Sequence, residues 1–248
     1  MGDGRDDHWL MMSAIRSSFG DLFQKRLVKP IYVACFCEDD NLLSQWRAYG
    51  QSGGYSLGFR VLPDIGVFGE RLTPEPNIHT CRWTRVEYDR IKQAEICRSI
   101  LDPLFAALDD PETAEAIRTV SEHPFVGYQK IFTTTMDVLL EEIVRFKSDA
   151  FQVEKEWRAV VRQREFRKQG TDDAGMTPVP VHFRTSRGML IPYVKLVPSE
   201  RGKKVPITSV RSGPTLDTTM ATVAISMILA RNEFSGVAVR GSDITVRF

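Results

Sequence analysis

Residues 31–59 read IYVACFCEDDNLLSQWRAYGQSGGYSLGF, and how they fold decides the rest of the chain. Pro30 leads into β-branched and aromatic residues, so Ile31–Cys37 reads as a strand. Glu38-Asp39-Asp40 turns the chain, and the spacing from Asn41 predicts a short helix closed by Gly50. Gln51–Gly54 breaks it again, and Gly54–Arg60 reads as a second strand. Alternation there puts Tyr55, Leu57 and Phe59 on one face and Gly54, Ser56 and Gly58 on the other. A face with almost no side-chain bulk implies close approach by a helix, a backbone or a ligand. The cluster Trp46-Arg47-Tyr49 lies between the two strands, and no turn requires it.

Outward from this stretch, residues 79–87 read as another strand. Tyr88–Leu108 has helical spacing, with Ile91, Cys97, Leu101, Leu104 and Leu108 along one face. A second helix is carried by Phe125, Tyr128, Phe132, Met136, Leu139, Ile143 and Phe146, which step by three or four. Residues 8–28 are read as helical. Glu156–Gln163 is a strand, residues 170–177 a loop, and Pro180–Arg184, Met189–Leu196 and Lys204–Arg211 further strands. After Gly213-Pro214 comes a helix with Leu216, Met220, Val223 and Met227 as its apolar stripe. Two short strands, GVAVR and ITVRF, end the chain. This order predicts an α+β fold with a mixed or mostly antiparallel sheet and packed helices, not regular βαβ alternation. The expected division is an N-terminal helical segment, 1–30, and one α+β domain, 31–248.

The chain has 248 residues, enough for a full core, and is 42% hydrophobic and 26% charged, as a soluble globular protein is. No run approaches the roughly 20 apolar residues that cross a bilayer, and no secretory or acylation signal opens the chain. Four cysteines make no disulfide scaffold, so a reducing cytoplasm is expected, without membrane association. Net charge is +1, yet Phe151–Arg211 holds 13 Lys/Arg against 6 Asp/Glu. That surplus suits a solvated loop, and it also makes nucleic acid a candidate partner of segment 155–211.

The second polar constellation is Glu154-Lys155-Glu156-Trp157-Arg158. With a strand starting near Lys155, Glu156, Arg158 and Val160 share one face and Trp157, Ala159 and Val161 the other, with Glu154 at the strand mouth beside Glu156. Two carboxylates there could stabilise an oxocarbenium-like centre or act as a base. They could equally form a structural ion pair with Arg158. Cys35, Cys37, His79 and Cys81 offer four soft ligands, but C-x-C on a strand reads as core cysteines and no CxxC occurs, so no metal is expected. The P-loop, dinucleotide, zincin and hydrolase-elbow motifs are absent.

Cys35-Phe36-Cys37, Trp46–Gly50, Gly54–Phe59, Lys147, Glu154–Arg158, the Gly213-Pro214 turn and Ser242-x-Ile244-x-x-Arg247 together resemble a bacterial family known as domain of unknown function 2971, over roughly residues 31–248. The usual opening of that family, a His-bearing strand, is not visible, and residues 1–30 look like the stretch behind that strand. This suggests a short form or a late start. The family plan is similar to that of ADP-ribosyltransferases, lacking here the first strand. The resemblance implies an NAD-consuming transferase or glycohydrolase of a toxin or phage-defence kind, with NAD as substrate. In it Glu156 and Glu154 are the catalytic acids, and Trp46, Arg47, Tyr49, Ser56 and Arg158 bind the nucleotide, Arg47 at the pyrophosphate. Cys37 stands where the plan has Ser. The alternative is a non-catalytic binding or sensor domain, in which Arg47 pairs with Glu154 or Glu156 and the same motifs form a structural ion-pair network.

Overall fold

A computed structural model describes residues 13, 31–50, 53–60, 65–68, 78–113, 116, 124–162, 181–198, 204–214 and 217–244. All but residue 13 of the expected helix at 8–28, the loop at 170–177 and most of the closing ITVRF lie outside these residues. The chain divides into two compact units, one holding residues 85–153 and the other residues 31–84 and 154–248. Residues 85–153 are thus inserted between the two stretches of the second unit.

The inserted unit is helical. Helix α2 (Arg90–Asp109) is capped by Asp89, whose carboxylate accepts from the Ile91 and Lys92 amides and so satisfies donors that have no partner inside the helix. Helix α3 (Pro124–Ile143) packs against it through Leu104, Phe132 and Met136, with Leu101, Ile131 and Leu139 around them. The expected stripes therefore meet, although Ile91, at the start of its stripe, is 70% exposed. The two chain ends of the unit are fastened at Glu87 and Phe146, which form a parallel bridge. Gln93 Nε2 donates to the carbonyls of both Glu87 and Lys147, at 2.7 and 2.9 Å.

The other unit is built of strands. Strand β1 (Ile31–Phe36) pairs antiparallel with β6 (Trp157–Arg162), and β5 (Arg82–Arg85) is the other neighbour of β6. Residues facing each other across β1 and β6 share a side of the sheet. Tyr32, Ala34 and Phe36 therefore join Ala159, Val161, Trp83 and Cys81 in the core, and Cys35 lies opposite Arg158. A second sheet has the order β11 (Ala238–Gly241), β10 (Ile207–Ser212), β2 (Tyr55–Phe59), with β10 parallel to β11 and antiparallel to β2. A third contains β4 (Ile78–Thr80), β3 (Ile65–Phe68) and β9 (Leu196–Pro198), and β7 (His182–Ser186) forms a hairpin with β8 (Met189–Tyr193). The fold is α+β with mixed sheets. The expected strand 189–196 is two strands. Strand β3 is one that alternation does not reveal, being only four residues long.

Two local expectations are corrected. Helix α4 (Thr218–Arg231) does not bury its Met220, Val223 and Met227 stripe: these are 69, 53 and 68% exposed, while Ala221 and Ile225 are buried. The reason is close approach. A Cβ on Gly241 of β11 would overlap Thr218, so this helix comes close to its sheet there and turns Ala221 and Ile225 inward, leaving Met220, Val223 and Met227 outside. Strand β6 begins at Trp157 instead of Lys155. Lys155 has φ 43°, a left-handed conformation that ends strand alternation, and Glu154 closes a 3₁₀ helix over Asp149–Glu154.

Candidate functional site

Helix α1 (Leu43–Tyr49) carries Trp46, Arg47 and Tyr49. Trp46 is 6% exposed. Its Nε1 donates to Asn41 Oδ1 at 3.0 Å, and the Ser242 hydroxyl donates to the same oxygen at 2.7 Å. Asn41 Nδ2 in turn donates to Asp243 at 2.5 Å. Asn41 thus ties the helix to the segment after β11, some two hundred residues away in sequence. The Trp46 ring is flanked by two glycines. A Cβ on Gly50 would lie 3.0 Å from its Cε3, and one on Gly213 would lie 3.2 Å from its Cζ3 and 3.1 Å from the Gly54 carbonyl. Gly50 has φ −109°, so the glycine is required by the indole and not by a left-handed turn. The bare face of β2 has a similar answer: a Cβ on Gly54 would meet the Gly50 Cα at 3.3 Å, and one on Gly58 would overlap the Ser209 hydroxyl.

At the mouth of β6, Glu156 is 2% exposed and its Oε1 accepts from Arg158 Nε at 2.7 Å; the Arg158 side chain is 15% exposed. Burial works against the Arg158 charge, but the Glu156 hydrogen bond and field, with the Cys35 thiol opposite, outweigh it and raise the pKa above the ordinary arginine value. Cys35, expected among core cysteines, is exposed, because its side of the sheet is not the side that builds the core. Cys81 is the buried one, and burial pushes its thiol up. No group of three or more metal-binding side chains occurs among the described residues, and none of the described helices is long and apolar enough to cross a membrane.

Beside these two constellations lies an open cleft of about 890 Å³, lined by the end of β1, the following turn, α1, β2 and residues of β5, β6 and β10. Of the candidate catalytic and nucleotide-binding residues, Trp46, Tyr49 and Ser56 line it, and so do Cys35 and Cys37. Tyr49 is 84% exposed. Arg47 is on the exposed side of α1, and neither it nor Glu154, Glu156 or Arg158 is among the lining residues. Glu154 is 7% exposed. The cleft joins motif aromatics to residues that motif spacing did not mark, Trp83 and Glu38–Asp40. Trp83 packs on Phe36 with ring centroids 5.0 Å apart, and Trp157 Nε1 donates to Glu38 at 3.0 Å. Asp40 meets Arg211 Nε at 3.0 Å. Trp83 carried only its place in a short strand, and Glu38 to Asp40 looked like turn residues.

Residues 45–159 match the family described as Protein of unknown function (DUF2971). The resemblance read from the motifs is borne out over that segment. No curated protein and no solved structure matches the chain. The matched segment begins one residue before Trp46 and ends inside β6, so it contains Trp46, Arg47 and Tyr49 of α1 and the Glu156–Arg158 pair. It also runs through the whole inserted helical unit, which the motifs only bracket.

Proposed function

We propose that the sheet unit is a small-molecule binding domain, with the aromatic cleft as its site and the Glu156–Arg158 pair as part of its framework. One observation carries this. The carboxylate expected to do chemistry is 2% exposed and engaged by Arg158 at 2.7 Å, while two exposed tyrosines, Tyr49 and Tyr55, lie in the cleft. An open concave site with aromatic walls and a few fixed polar groups is the usual form of a small-ligand pocket. The other reading, an NAD-consuming transferase or glycohydrolase of the ADP-ribosyltransferase kind, requires Glu156 or Glu154 to reach a bound ribose.

The two readings separate in one comparison. Glu156→Gln is expected to lower thermal stability, and Tyr49→Ala with Tyr55→Ala to leave stability unchanged while abolishing binding of ligands found by thermal-shift screening. Nicotinamide release from NAD that Glu156→Gln abolishes without lowering Tm would overturn the binding reading in favour of the enzyme.

A further inference from the structure

The ligand of the cleft has a chemical sign. Its described lining includes three successive carboxylates, Glu38, Asp39 and Asp40, and no Lys, Arg or His. Each carboxylate is held in place by the chain. Glu38 accepts from the Trp157 indole at 3.0 Å, Asp39 from the Asn41 amide at 2.9 Å, and Asp40 faces Arg211 at 3.0 Å. Arg211, itself mostly buried, also donates to the Gly241 carbonyl, so its charge is spent on Asp40 and on the framework behind the cleft. The walls beside the carboxylates are aromatic: Phe36, Trp83 and Trp157, with Tyr49 and Tyr55 at 84 and 51% exposure. Ring faces carry negative potential and attract a cation laid over them. Donation of the Trp157 N–H to a carboxylate makes that indole more electron-rich and strengthens the attraction. Phosphate-bearing ligands meet the opposite field.

We infer that the cleft binds a flat organic cation, of the N-alkylated heteroaromatic or quaternary ammonium class, between its aromatic walls and the Glu38–Asp39 carboxylates. The inference rests on the cleft being the binding site, and it adds the charge. It is tested by calorimetry on the full chain with three probes of similar shape: N-methylquinolinium, its neutral isostere 4-methylquinoline, and quinoline-4-carboxylate, at pH 8. The cation is expected to bind at least about tenfold tighter than the neutral isostere, with the preference shrinking as salt rises. Glu38→Gln combined with Asp39→Asn, checked for unchanged Tm, is expected to erase the preference and keep the binding of 4-methylquinoline. Equal affinity for cation and isostere overturns the charge assignment and leaves the cleft as a site. Tightest binding of the carboxylate overturns it as well. Binding of none of the three overturns both the inference and the site on which it rests.

Discussion

The helical unit and the sheet unit are held together in different ways. The core of the helical unit is made by two helices, each repeating its apolar residues every three or four positions, and Leu104, Phe132 and Met136 meet where those repeats say they should. The sheet unit relies on partners far apart in sequence: Phe36 faces Trp157, Trp46 depends on Gly213, and Asn41 collects Trp46, Ser242 and Asp243. A repeated apolar stripe degrades gradually under substitution. A set of single non-local contacts fails at each member.

Glu156→Ala probes that difference most strongly. It leaves Arg158 buried without its carboxylate and is expected to cost about 3–5 kcal/mol, read by urea denaturation, with faster hydrogen exchange in β1 and β6. A loss under about 1 kcal/mol would mean that the pair is solvated. Phe132→Ala in the helical core is expected to cost about 3–5 kcal/mol as well, with faster exchange in α2 and α3. Phe132→Leu, which keeps the stripe, is expected to restore most of that loss, whereas Glu156→Gln restores only part of its own. Gly213→Ala adds one methyl against the Trp46 indole and the Gly54 carbonyl, and is expected to cost about 1–3 kcal/mol with a change in tryptophan fluorescence. An unchanged spectrum would show that the indole is free to shift.

Smaller effects test whether local terms are alike in the two units. Asp89→Ala and Asp217→Ala each remove a helix cap and are each expected to cost about 1 kcal/mol, measured by thermal unfolding. At Asp110, hydrogen bonds from the Thr113 side chain and amide hold the carboxyl below its ordinary value. A depressed carboxyl pKa adds stability above the unfolded value, and that contribution is lost as pH falls through the folded one. Thr113→Ala is therefore expected to move the Asp110 titration back up, as read by carboxyl NMR.

The same contrast decides what could be read from the sequence. Helices α2 and α3 are legible because a period of 3.6 is a local property of the chain. The strand parity that sends Trp157, Ala159 and Val161 to one face is legible too, since alternation is also local. The stripe of α4 misleads because Gly241 lets the helix approach at Thr218 and turn Ala221 and Ile225 inward, and nothing within the helix itself announces that glycine. Glu154 and Glu156 look like neighbours on one strand until the left-handed Lys155 separates them. The cleft is half legible. Trp46, Tyr49 and Ser56 stand out in the sequence, but Trp83 and the Glu38–Asp40 rim become visible only once β1, β5 and β6 are side by side.

The pairing of β1 with β6 has a consequence for synthesis. The whole helical insertion lies between the two strands, so β1 leaves the ribosome on the order of 120 residues before its partner. At about 5–20 residues per second, IYVACF waits roughly 6 to 24 s with its ladder unpaired. That is long enough for the helical unit to fold first. The nascent chain then carries an apolar edge in search of a strand, and its exposure ends only when Trp157 to Arg162 emerge behind a finished helical pair.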